Sequence, residues 1–195
     1  MKIKVISILL LLATCFARSQ GVLLVDQQST NLVEGAAGLQ SGQPMGQSFT
    51  PNLSMIDFVQ LYLYDGDVLS HFGGTVFVNL HSNSISGGVI SSTAPVFMAD
   101  GFLGFTNFYF GSPVSLAPGS TYVLELVAQG GSDNFGSGVT DGSYTGGSII
   151  YQGVAYPGES LWFQEGITAV PEPSSTILAL VGGGAWFFAR RRREK

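Results

Sequence analysis

The sequence predicts an all-β body, an antiparallel β-sandwich, followed by a C-terminal transmembrane helix. Three observations carry that prediction. Apolar residues in the body recur with period two and not with the helical period. Clusters of Gly, Asn, Asp and Ser punctuate the runs, as in "YDGD", "HFGG", "SISGG", "APGS", "GGSDNFGSG" and "DGSYTGG". Near the end, Ser174 to Ala189 carries no charge and is halted by Arg190, Arg191, Arg192 and Arg193.

Taken in order, "MKIKVISILLLLATCFARSQ" has two lysines, an apolar stretch from Val5 to Leu12, and then small residues. That is the order of a secretory signal, and the run is shorter than the ~20 apolar residues a membrane span needs. Ala17 and Ser19 are the small residues a signal peptidase reads, so residues 1–19 are the predicted leader. Cys15, the only cysteine, lies inside it, so the mature chain has no disulfide and must rely on its packed core.

The body is predicted over residues 20–168. In "IDFVQLYLYD", Val59, Leu61 and Leu63 face one side, and Phe58, Gln60, Tyr62 and Tyr64 the other. In "TVFVNLH", Val76, Val78 and Leu80 point inward, with Thr75, Asn79 and His81 outward. "STYVLELVA" opposes Tyr122, Leu124 and Leu126 to Thr121, Val123, Glu125 and Val127. Shorter strands are predicted at Val22–Asp26, Gly46–Thr50, Val89–Ser92, Pro95–Ala99, Phe105–Phe110, Ser148–Tyr151 and Ser160–Gln164. Many short strands at this spacing, with no fixed repeat, read as a sandwich of jelly-roll-like type.

Charge is distributed unevenly. No Lys or Arg occurs from Ser19 to Ala189, although every Asp and Glu except Glu194 lies in that span. A body of this kind repels phosphates, which excludes nucleic acid as a partner, and it offsets its self-repulsion only with solvent, salt or bound cations.

The last segment, residues 169–195, answers to the membrane. As a helix, the uncharged stretch spans about 24 Å, a marginal crossing of a ~30 Å hydrocarbon layer. Four arginines after it stay cytoplasmic and leave the body outside, which agrees with the leader. Gly182, Gly183 and Gly184 weaken the helix, as suits a segment held only until it is cut. "VPEP" at Val170–Pro173, the short apolar helix and the terminal arginine cluster together resemble the PEP-CTERM sorting signal. The resemblance covers Val170 to Lys195. It implies that a membrane-embedded cysteine peptidase-transpeptidase, the exosortase, recognises Pro171, Glu172 and Pro173 and separates the body from its helix. It also implies a Gram-negative host that makes exopolysaccharide, and a destination at the cell surface or in the extracellular matrix. The body is similar to jelly-roll domains carried by such proteins, through "GQSFTP" and "LAPGSTYVLEL".

Chemistry in the body is sparse. No Gly-x-Ser-x-Gly stretch occurs, and His71 and His81, the only imidazoles, read as surface residues without a zinc-ligand pattern. Paired carboxylates for glycoside hydrolysis are not evident from spacing. No cofactor is required. Calcium has candidates in the loop carboxylates Asp65, Asp67, Asp133 and Asp141, with Asp100 nearby, although Asp and Asn also serve turns through their own backbone. Glycan binding has candidates in Tyr144, Tyr151, Tyr156 and Trp162, aromatic rings of the Gly-rich C-terminal third that loops at one end of a sandwich would gather. Trp162 stands in a predicted strand, where a buried core role competes. The expected function is that of a non-catalytic surface or matrix component. The alternatives are a carbohydrate-binding module and, more remotely, an extracellular glycoside hydrolase.

Overall fold

In a computed structural model, which describes residues 21–31, 33–67, 72–129, 134–142 and 144–169, the alternating runs become strands. They are β1 (Val22–Ser29), β2 (Val33–Gly38), β3 (Met45–Phe49), β4 (Met55–Asp65), β5 (Gly74–Ser82), β6 (Val89–Ser92), β7 (Val96–Met98), β8 (Leu103–Ser115), β9 (Tyr122–Gln129), β10 (Phe135–Asp141), β11 (Ile149–Tyr151), β12 (Val154–Tyr156), β13 (Glu159–Leu161) and β14 (Phe163–Ala169). No helix occurs among the described residues. Leu23–Thr168 form one unit. The leader, the predicted membrane helix at 174–189, His71, Asp133, Pro171–Pro173 and Arg190–Arg193 lie outside the described residues. Within the described residues, no helix is long and apolar enough to cross a membrane.

The first sheet runs β1-β14-β4-β10-β13, with β8 on β4 and β2 on β10; the second runs β12-β11-β3-β9-β5-β6, with β7 on β5. β4 pairs antiparallel with β8, β10 and β14, and β5 with β6, β7 and β9. Alternation aims Val59, Leu61 and Leu63 of β4 at Val76, Val78 and Leu80 of β5 and at Leu124 and Leu126 of β9. All eight are fully buried in one cluster that joins the sheets. Each such side chain stabilises the fold by roughly 1.5–3 kcal/mol relative to exposure, so this interior does the work that disulfides do in smaller exported domains.

Three features differ from the sequence expectation. Ser160–Gln164 is not one strand. β4 and β10 pair over Leu63–Asp65 and Phe135–Ser137 and then diverge. The chain folds into the divergence as a V: Glu159–Leu161 pair with β10, Phe163–Gly166 pair with β4, and Trp162 is the apex. Its N–H donates to the Gly138 carbonyl (2.8 Å), and its carbonyl accepts the Tyr62 N–H (3.4 Å). A bend at this point lets one segment serve two partners.

Second, "FGSG" is strand and not loop, and β2 ("VEGAAG") pairs with it. Glycine is disfavoured in strands unless something lies across it. Here Tyr64 lies across Gly136, its cross-strand partner, so that a side chain at Gly136 would run into the ring. Tyr62 and Val33 cover Gly138 in the same way. The β11–β12 hairpin also escaped the pattern. Gln152 (φ 51°) and Gly153 (φ 75°) are both left-handed, the two-residue turn whose twist matches a hairpin.

Candidate functional site

The outward side of β4 becomes a site through its registers. Tyr64, Tyr62, Gln60 and Phe58 pair with Leu103, Phe105, Asn107 and Tyr109 of β8. On the opposite edge of β4, Gln60 pairs with Gln164, and Phe58 with Gly166, both of β14. Strands ~4.8 Å apart, with like-facing residues nearly 7 Å apart along each, therefore give a flat face of rows. One row is aromatic: Tyr62 meets Phe105 edge-on at 5.2 Å between centroids, and Phe105 leans over Trp162 at 4.4 Å. The next row is amide: Gln60 Nε2 donates to Asn107 Oδ1 (2.8 Å), and Gln164 Nε2 donates to Gln28 Oε1 (3.2 Å). The row beyond carries Tyr109. Phe105 is 58% exposed and Tyr109 45%, so the rings flank the amides from both sides while open to solvent.

Such a face offers apolar surface to C–H groups and, from the half of each amide unused within its own row, hydrogen bonds to hydroxyls. Sequence reasoning missed it because Phe105, Tyr109, Gln60 and Gln164 are far apart in the chain and only registers align them.

The predicted glycan residues are not gathered at one place. Trp162 is only 8% exposed, yet it stands on the outer face beneath Phe105 and not in the core between the sheets. Tyr151 and Tyr156 line a cavity of about 330 Å³ with Gly35–Ala37, Val139, Ile149 and Glu159. There the Tyr151 hydroxyl meets Ser41 Oγ at 2.9 Å. Burial, and then the Tyr151 phenol, raise the pKa of Tyr64. Tyr144 lines a separate cavity and stands edge-on to Phe163. Burial, with the Glu165 and Asp26 carboxylates adding to it, pushes the Tyr144 phenol up to about 12.

Of the predicted calcium residues, Asp65 holds a turn. Asp65 Oδ1 accepts the Asp67 N–H and Oδ2 accepts the Gly101 N–H, both at 2.8 Å. Asp141 Oδ1 accepts from Asn31 Nδ2 (2.7 Å) and stands six positions along β10 from Phe135, the partner of Asp65. At strand rise that separation is ~20 Å, too far for one ion. No three of His, Cys, Asp or Glu converge among the described residues.

His81, read as a surface residue, is 4% exposed. It does alternate outward from β5, but its Nδ1 faces the Gly87 carbonyl and its Nε2 the Glu125 carboxylate, each at 2.9 Å, under the loop that precedes β6. Glu165 had no role in the sequence reading. It is fully buried, and burial first, then the charge of Asp26, pushes its carboxyl up to about 8.

A family model described as the PEP-CTERM protein-sorting motif matches residues 169–193. No curated protein matches the chain. Pro171-Glu172-Pro173, the uncharged stretch and all four arginines fall inside the matched residues. Residues 169–193 therefore carry the PEP-CTERM protein-sorting motif, which supports an exported, membrane-associated cell-surface protein processed by an exosortase.

Proposed function

We propose that this chain is a non-catalytic surface or extracellular-matrix component whose jelly-roll-like body holds a neutral polysaccharide on the outer face of the first sheet. The observation that carries the reading is the amide row Asn107–Gln60–Gln164–Gln28 set between the exposed rings of Phe105 and Tyr109. Electrostatics narrows the ligand class. A body with acidic side chains and no Lys or Arg repels uronate-rich or sulfated chains, so the polymer is uncharged. The non-catalytic reading rests on access. Among the described residues, Asp26 and Glu165 are the two carboxylates that stand together with one pKa raised, as hydrolysis would need, but Glu165 is fully buried and no substrate reaches it. An exopolysaccharide-producing host supplies the polymer, and exosortase cleavage near Pro171–Pro173 releases the body to meet it.

Affinity electrophoresis of the processed protein through gels containing single polysaccharides tests the ligand. Retardation by a neutral polymer is expected, with Phe105→Ala and Tyr109→Ala each weakening it about tenfold, the effect of ~1.4 kcal/mol. Retardation that survives both substitutions, or that occurs only with acidic polymers, would overturn the assignment to this face. Intact mass tests the processing. A mass ending within Pro171–Pro173 is expected for protein recovered from the medium, and a mass retaining Arg190 to Lys195 would show a permanent anchor instead.

A further inference from the structure

Both carboxyl oxygens of Glu165 lack a hydrogen-bond partner. Register explains how they came to be sealed. Glu165 pairs with Val59 and lies two residues from Phe163, and both neighbours belong to the core, so alternation aims the carboxylate between the sheets. An ionised carboxylate there is costly unless a positive charge meets it. None is supplied by the body: residues 20–168 contain no Lys or Arg, and His81 is engaged by Glu125 on the second sheet. What faces Glu165 is the Gln27 backbone N–H, outside the close bonding geometry but near enough to favour the charge, and otherwise oxygen. Asp26 of β1 and Tyr144 are its charged and titratable neighbours. Asp26 is held in place through Oδ2, which accepts the Asn52 and Leu53 N–H groups at 2.8 and 2.9 Å. Its Oδ1 has a long contact with Gln27 Nε2, at 3.5 Å, and the Asp26 carboxyl stands close enough to Glu165 to act on its proton. The Tyr144 hydroxyl donates to Gln27 Oε1 (3.2 Å), which brings another neutral oxygen alongside. Asp26, Gln27, Asn52 and Tyr144 also line a cavity of about 460 Å³, so the route from solvent reaches Asp26 directly.

We propose that Asp26 and Glu165 are the two carboxylate ligands of a Ca²⁺ site that joins β1 to β14, with neutral oxygens of the Gln27 region and water completing the shell. The donor set decides the ion. It is all oxygen and carries two negative charges, which suits a hard cation and gives zinc neither sulfur nor nitrogen. Calcium accepts six to eight oxygens in adaptable geometry, whereas magnesium demands a near-ideal octahedron and keeps its waters. The ion supplies the positive charge that the body lacks, and it fastens the first strand to the last. At Asp65, by contrast, both oxygens already accept backbone N–H groups, whereas both oxygens of Glu165 are without a close partner.

The test uses the full chain stripped with chelator and then titrated with Ca²⁺, or with Tb³⁺ excited through Tyr144. Calcium in the millimolar range is expected to raise the melting temperature by several degrees, with Mg²⁺ much less effective. Terbium is expected to luminesce. Glu165→Gln and Asp26→Asn should each fold and each abolish both responses, whereas Tyr144→Phe should keep the thermal shift and lose most of the luminescence. A calcium response retained in Glu165→Gln would overturn the site. So would a parent protein indifferent to both ions, in which case Glu165 is sealed by a proton and not by a cation.

Discussion

Trp162→Ala is expected to cost about 3–5 kcal/mol of folding stability, in the range of buried aromatic truncations. The residue stands at the apex where the chain turns from β10 to β4, and both of its backbone polar groups are bonded across the divergence. Its ring fills the space above that apex, with Phe105 as the cover. Alanine keeps the backbone bonds but removes the ring, so Phe105 and Tyr62 lose their floor and the split between β4 and β10 is open to water. Phe105→Ala makes the contrast. It removes a cover that is 58% exposed, so it should cost ~1 kcal/mol or less in stability while weakening polysaccharide retention. Urea unfolding of the two variants checks the pair. If Trp162→Ala were as mild as Phe105→Ala, the V-shaped segment would be held by its backbone alone, and the aromatic row would not be structural.

How far the sequence shows this fold depends on where each strand takes its instructions. β4, β5 and β9 alternate because one face of each is buried in the shared interior, so Val59, Leu61, Leu63, Val76, Val78, Leu80, Leu124 and Leu126 are legible one strand at a time. β10 is not, because its glycines answer to Tyr62 and Tyr64 on a strand some seventy residues earlier. The break at Trp162 is likewise a property of two partners and not of "ESLWFQ" itself. The same distinction governs the sites. The sorting motif is a linear signal and is readable as text. The sheet face exists only once β4, β8, β14 and β1 are in register. Loop tyrosines looked like a sugar platform because they are close in sequence, yet Tyr144 and Tyr151 point into different cavities. Glu165 is the sharpest case. In "FQEGITA" it looks like an exposed acid beside a glycine, and only pairing with Val59 turns it inward.

That inward turn sets a pH dependence for the metal-free protein. The Glu165 carboxyl is raised from 4.5 to about 8, with burial the larger cause and the Asp26 carboxylate the next. The folded chain therefore holds a proton that the unfolded chain releases near pH 4.5. Between these values the folded state binds more protons, so stability must fall as pH rises. The contribution is fully present below about pH 4.5, declines through neutral pH, and is gone above about pH 8. At ~1.4 kcal/mol per decade the whole decline is on the order of 5 kcal/mol, enough to consume much of a typical domain's stability. Denaturant unfolding in chelator from pH 4 to pH 9 should show this slope in the parent and lose most of it in Glu165→Gln, which carries no charge to bury. The two curves should meet at acid pH, with the variant the more stable at alkaline pH. Asp26→Asn should shift the parent's decline to lower values without flattening it, because it removes the neighbouring charge and leaves the burial. A parent whose stability stays level from pH 5 to pH 8 would mean that Glu165 folds ionised, and that the space around it is wetter than its sealed position between the sheets requires.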